Sequence, residues 1–178
     1  MIQLYNTLTR HKDKLMPLDR QTVRMYTCGL TVYSQPHIGN WVGYIYWDVL
    51  VRLLRWQDIP VIRTQNITDV GHLTSDDDGG EDKMEKGARR EGKTAWDVAK
   101  QYIAIAEHEA YEVLKLVQPD HLVRATDYIQ QQIDFARGLD EKGLLYKIDG
   151  DGMYFDTSRL ADYGKLARLD VAGLEAGA

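Results

Sequence analysis

Apolar positions fall into short blocks of differing period, separated by glycine, proline and charged residues, and the periods predict alternating strands and helices. Thr22 to Cys28 is a run of β-branched and apolar residues ending at Gly29, the pattern of a buried strand. After a loop through Pro36, Trp41 to Trp56 reads as a helix apolar nearly all round, with Asp48 and Arg52 as an i,i+4 pair, so it is expected to pack on both sides. Pro60 forces Ile59 out of helical conformation and introduces a second strand, Val61 to Thr68. Strand, helix and strand in this order predict a βαβ unit of a parallel sheet.

The stretch Asp76 to Lys93 is dense in charge and glycine and lacks an apolar period, which predicts an exposed loop. Thr94-x-x-Asp97 then opens a helix whose 3.6-residue period, through Val98, Ile103, Val113 and Val117, is expected to run to Pro119. A further helix is expected from Thr126 to Lys142 with Gly143 as its C′ residue. Leu144 to Ile148 and Met153 to Thr157, joined by Asp149-Gly150-Asp151-Gly152, predict a β-hairpin. The tail from Leu160 has no closing strand or helix, so the chain is expected to be a truncated one.

Composition adds exclusions. With 178 residues, 44% hydrophobic and 28% charged, this is an ordinary globular chain, not a disordered or fibrous one. A net charge of −5 gives no global basic footprint, so a nucleic-acid contact would need a local patch. The single Cys28 cannot form an internal disulfide, and the N-terminus has no signal-like apolar run; an intracellular, cytoplasmic protein is expected. The most apolar window, Trp41 to Leu54, carries Asp48 and Arg52 and is too short to span a bilayer, so no membrane partner is expected.

The chemistry concentrates in Tyr26-Thr-Cys-Gly-Leu-Thr-Val-Tyr33, followed by His37-Ile-Gly-Asn40. A strand entering a glycine-containing loop and then a helix N-terminus offers backbone N–H groups and a positive dipole end to a polyphosphate. Gly39 admits close approach of a nucleotide ring, and His37 and Asn40 can donate to phosphate oxygens. Taken alone, a His-x-Gly-Asn more often merely caps a helix, and it is the context that favours the phosphate reading. This block resembles the first signature of class I aminoacyl-tRNA synthetases, in the Asn-ending variant of the cysteinyl-tRNA synthetases. The resemblance continues through Asn66-Ile67-Thr68-Asp69-Val70, Gly80 to Met84, Tyr154-Phe155-Asp156 and Tyr163 to Leu166, and so covers nearly the whole chain. Leu30 and Val42 depart from the family pattern, which commonly has Pro and Arg there.

The resemblance implies an α/β fold with a Rossmann-like parallel sheet: the first half of a class I catalytic domain over residues 1–118, and an inserted α+β connective region over 119–178. It implies an ATP site built from Leu30, Thr31, Val32, Tyr33, Ser34, Gln35, Pro36, His37, Ile38, Gly39 and Asn40, with His37 and Asn40 acting in catalysis and ATP arriving with Mg. Gly29 and Thr68 would line the cysteine pocket. Cys28, otherwise read as a small buried hydrophobe, would be a zinc ligand, its partner ligands lying in the absent later half. An open zinc position binds a substrate thiol and rejects serine. The implied reaction is ATP-dependent formation of cysteinyl-adenylate and transfer to tRNA(Cys), by an expected monomer, with the fragment alone expected to be inactive. The rivals are a cysteine ligase of mycothiol synthesis and a non-catalytic, shortened, nucleotide-binding paralogue. Lys83-Met84-Glu85-Lys86-Gly87 imitates the second class I signature, but too few strands precede it. Lys83, Lys86, Arg89, Arg90 and Lys93 read instead as a solvated loop or, as the alternative, a tRNA phosphate contact.

Overall fold

A computed structural model describes residues 2–70, 88–89 and 92–169. The Lys83–Gly87 look-alike, most of the expected charged loop and the tail from 170 onward lie outside the described residues. The chain divides into two compact units, one of residues 16–127 and one of residues 2–15 with 128–169. These boundaries differ from the expected division at 118.

The first unit is built on a parallel three-stranded sheet. β3 (Val23–Thr27) pairs with β4 (Val61–Ile67), and β4 with β5 (His121–Arg124), in the spatial order β3-β4-β5. Two of these strands and their parallel pairing match the sequence expectation. β5 does not: it is four residues long with Leu122 and Val123 as its only apolar positions, too little for a period, and it falls within the expected connective region 119–178. Its pairing with β4 (Gln65↔Leu122) makes it part of the same parallel sheet.

α1 (Ile38–Trp56) crosses from β3 to β4 and buries Trp41, Tyr44, Val51 and Leu54. Trp41, Tyr44 and Trp47 form an edge-to-face ladder with centroid distances of 5.4 and 4.9 Å. The expectation that this helix packs on both sides is corrected. Ile38, Val42, Tyr46, Val49 and Trp56 are exposed, so among the described residues one face is covered and the other is not.

α2 (Ala95–Glu107) starts where expected, with Thr94 accepting from the Asp97 amide at 3.1 Å. Val98, Ala99 and Ile103 pack on Val32 and Ile67, forming the first core cluster. The expected period to Pro119 fails beyond Glu107. There the chain widens into a π-helical segment, His108–Val113, ends it with Lys115 at φ 54°, and leaves Val113 exposed. Ala110 within that segment packs beneath Trp41 and Tyr44 as the second cluster. Asp48, buried in α1, closes this corner by accepting from Val117 N at 2.7 Å and Arg52 Nε at 2.6 Å.

The second unit holds two antiparallel hairpins and a helix. β1 (Gln3–Asn6) and β2 (His11–Lys14) pair in a hairpin too polar to be read from periodicity. Residues 125–128, where the chain passes from the first unit to the second, form a 3₁₀ turn, and α3 (Ile129–Asp140) follows. Gly143 at φ 66° closes α3 in a Schellman arrangement, with Leu144 N donating to Leu139 O and Gly143 N to Asp140 O. β6 (Leu145–Ile148) and β7 (Gly152–Phe155) form the expected hairpin, stacked through Tyr146 and Tyr154. No helix among the described residues is long and apolar enough to cross a membrane.

The two faces of α1 predict opposite outcomes for neighbouring leucines. Leu54→Ala, at a fully buried position, should cost about 2–5 kcal/mol in denaturant unfolding. Leu53→Ala, at an exposed one, should cost less than about 1 kcal/mol.

Candidate nucleotide site

Beyond β3 the chain does not simply leave the sheet. Thr31 bridges in parallel to Thr68, Val32 N donates to Thr68 O at 3.1 Å, and Thr68 N donates to Leu30 O at 3.0 Å. This extends the β3–β4 pairing past both strand ends. The Asn66 side chain serves both strands, accepting from Gly29 N at 2.7 Å and donating to Thr68 Oγ1 at 3.0 Å. Gly29 lies so close to the other strand that a Cβ there would sit 1.5 Å from the Asn66 carbonyl oxygen. Asp69, also buried, accepts from Thr126 N at 3.0 Å and Thr126 Oγ1 at 2.6 Å, and so binds the end of β4 to the chain after β5.

The helix start is equally determined. His37 is the N-cap of α1 in extended conformation, φ −122° and ψ 171°. Its Nδ1 accepts from Gly39 N at 3.1 Å, and its own N–H donates to Asn40 Oδ1 at 3.0 Å, a reciprocal capping box. A neutral imidazole that accepts at Nδ1 carries its proton on Nε2, so the second ring nitrogen is a donor. A Cβ on residue 39 would meet the His37 ring at 3.0 Å, so glycine there keeps room for the capping imidazole. The first turn of α1 contains no acidic residue, which leaves its dipole uncompensated toward an anion.

Between the strand end and this helix start lies an open pocket of about 410 Å³. Cys28 and Gly29 line it, as do Leu30, Thr31, Tyr33, Ser34, Gln35, Pro36, His37 and Asn40 of the expected ATP segment. Three members of that segment are not in its wall. Val32 is turned into the core, Ile38 faces outward, and Gly39 serves the cap. Thr68 also lies off the wall, its hydroxyl engaged by Asn66. Tyr44 and Trp47 of α1 complete the lining and were not anticipated. Burial, with a smaller contribution from nearby Cys28, holds the Tyr44 phenol above its ordinary pKa, so it stays a neutral wall of the pocket.

Cys28 is an exposed free thiol, not the small buried hydrophobe of the alternative reading. Among the described residues no three His, Cys, Asp or Glu side chains cluster. A zinc ion would therefore find one thiolate here, and the residues present do not complete a four-ligand site.

The comparisons decide the family. A family model described as tRNA synthetases class I (C) catalytic domain matches residues 14–178. The chain belongs to this family. It is 49% identical over 176 residues to cysteine–tRNA ligase 1 of Burkholderia lata, covering 99% of this chain and 37% of that protein. It is 45% identical over 166 residues to the cysteine–tRNA ligase of Zymomonas mobilis, covering 93% of this chain and 32% of that one. The chain thus spans about a third of the length of these relatives. Among solved structures, Mycobacterium tuberculosis methionyl-tRNA synthetase in complex with methionyl-adenylate superposes with a TM-score of 0.59. It covers 71% of this chain and 23% of that one at 19% identity, a likeness that shows the class I synthetase fold.

Two glycines of this synthetase domain should respond oppositely to a methyl group. Gly29→Ala should cost about 3 kcal/mol or more, or abolish cooperative melting, because the new carbon overlaps the backbone of β4. Gly43→Ala, with nothing within 4 Å of its Cβ and in the middle of α1, should stabilise by about 0.5–1 kcal/mol. Thermal melts of the two variants check both.

Proposed function

We propose that this chain carries the ATP-gripping first half of a cysteine–tRNA ligase site, acting in protein synthesis on ATP, cysteine and tRNA(Cys) in the cytoplasm. The observation that carries the reading is the capped start of α1 at the pocket. His37 Nδ1 is spent on Gly39 N, which leaves Nε2–H to donate to a phosphate oxygen beside the positive end of a helix free of first-turn carboxylates.

In the proposed reaction a carboxylate oxygen of cysteine attacks the α-phosphorus of ATP. The bond to the bridging oxygen breaks, pyrophosphate leaves with the electron pair, and cysteinyl-adenylate forms. The 2′- or 3′-hydroxyl of the terminal ribose of tRNA(Cys) then attacks the acyl carbon, and AMP leaves. No covalent bond to the protein is needed, so catalysis rests on positioning and on stabilising phosphate charge. In this reading His37 donates to phosphate, Asn40 fixes the His37 backbone through its Oδ1 and lines the pocket, and Gly29 and Thr68 shape the cysteine side of the strand ends. Cys28 would supply a thiolate to zinc, a soft metal site that favours sulfur over the serine hydroxyl, with the other ligands coming from outside the described residues. The similar proteins of Burkholderia lata and Zymomonas mobilis are tRNA ligases, and nothing in the pocket favours the amino-sugar ligase.

A pair of substitutions separates the chemistry of His37 from its capping. Asn is a good N-cap, so His37→Asn should keep the melting temperature while removing Nε2, and titration calorimetry should show ATP affinity lowered about tenfold. His37→Ala should lose both affinity and about 1 kcal/mol of stability. Unchanged ATP affinity in His37→Asn contradicts the assigned role.

A further inference from the structure

The nucleotide loop is fastened from a direction that the strand ends and the helix cap do not explain. Glu109, half-buried in the π-helical segment, points its two carboxylate oxygens at two different elements. Oε1 accepts from Gln35 Nε2 at 3.0 Å, and Oε2 accepts from Trp41 Nε1 at 2.9 Å. Gln35 is an exposed loop residue in the pocket wall, and Trp41 is a buried residue in the first turn of α1. One carboxylate therefore ties the loop before His37 to the helix after it, across the cap that the proposed function places on phosphate.

The backbone supports this aim. The π hydrogen bond that breaks the helical period, Leu114 N to Glu109 O at 2.9 Å, is anchored on Glu109 itself. The next residue, Ala110, is buried against Trp41 and Tyr44. A wide turn is costly in a helix and persists where packing fixes it, and here it sets Glu109 opposite the loop. Both bonds run to a carboxylate, an acceptor whose hydrogen bonds are of the stronger, charge-assisted kind.

We infer that Glu109 is the positioning residue of the nucleotide loop, holding Gln35 and Trp41 in one geometry so that the His37 cap is presented to a phosphate; the phosphate part of this rests on the proposed function. A glutamine at 109 keeps shape and volume but has one acceptor oxygen for two donors. Loss of a residue that merely stabilised the fold would lower the melting temperature. Loss of a positioning residue instead loosens the loop while the core holds.

The experiment is hydrogen–deuterium exchange of the full chain without ligand, read at residues 33–37, together with ATP calorimetry and thermal melts. In Glu109→Gln, loop exchange should rise about tenfold and ATP affinity fall about fivefold to tenfold, with a melting temperature within a few degrees of the parent. Gln35→Ala, which removes the loop side alone, should reproduce the faster exchange even if Glu109→Gln does not fold. Glu112→Gln, on the same segment but paired at the surface with Lys115, should change neither readout. Parent-like exchange in both Glu109→Gln and Gln35→Ala overturns the inference. So does faster exchange with unchanged affinity in a chain that binds ATP. A parent chain that binds no ATP refutes the proposed function, and the exchange data then decide by themselves whether Glu109 holds the loop.

Discussion

The crossing of Gly29 over the Asn66 carbonyl is the constraint on which the site depends. Two parallel strands cannot approach this closely with side chains at the contact, since a Cβ on residue 29 would fall 1.5 Å from a backbone oxygen. Glycine permits the approach, and the Asn66 amide exploits it by accepting from Gly29 N and donating to Thr68. The loop leaving β3 is therefore launched at a set angle. The Thr31–Thr68 bridge carries that angle two residues further before the chain turns toward the helix. The strand-side wall of the pocket, Cys28 to Thr31, is set by this contact, while His37 and Asn40 are set by the start of α1.

The rest of the first unit is held around that launch point by polar groups in places where a simple sheet would have aliphatic ones. Arg63 and Gln65 of β4 and Thr27 of β3 are all buried on the face that meets the helices. Arg63 Nη2 donates to Val117 O at 2.6 Å and its backbone N to Asp120 Oδ2 at 2.7 Å, and Thr27 Oγ1 donates to Gln65 Oε1 at 3.3 Å. Burial depresses the Arg63 pKa, a sign of the desolvation that these bonds must offset. The carboxylates of Asp48, Asp69 and Asp120 each accept from a backbone N–H distant in sequence, near β5 or at β4. Directional bonds of this kind select one register for the segment 115–126, where apolar content is too low to select it by burial. This explains how a strand as weak as β5 finds its place in the sheet.

The same contrast marks what could be read from the sequence. β3, β4 and α1 carry enough apolar and β-branched residues for their periods to be visible, and the capping chemistry of Thr94 and Gly143 located two helix ends. β5 was invisible because its place is fixed by side-chain bonds that reach residues far away in sequence, Asp120 to Arg63 N and Asp69 to Thr126 N, and not by the period of its own four residues. The π turn was invisible because periodicity registers which face is apolar, not a one-residue slip in hydrogen bonding. α1 misled in the other direction. An apolar sequence shows what a surface can bury, and Ile38, Tyr46 and Trp56 are apolar yet exposed. In the site, the residues of the loop were legible as a block, but the inward turn of Val32 and the part played by Glu109, 74 residues from Gln35, depend on tertiary geometry alone.

The cap and the ligand group need not be rival readings of His37. An imidazole free to rotate presents either nitrogen, in either tautomer, and must be ordered when a phosphate arrives, at a cost in side-chain entropy. By accepting from Gly39 N, the His37 ring is held in one orientation, and its neutral form is restricted to the tautomer that donates from Nε2. Asn40 holds the backbone of the same residue from the other side, and glycine at 39 leaves the ring the space to do so. The local bonds that end the helix thus also aim its first polar side chain. Each residue of His37-Ile38-Gly39-Asn40 other than Ile38 therefore has a structural reason to be there, and the phosphate role given to His37 in the proposed function uses the same cap.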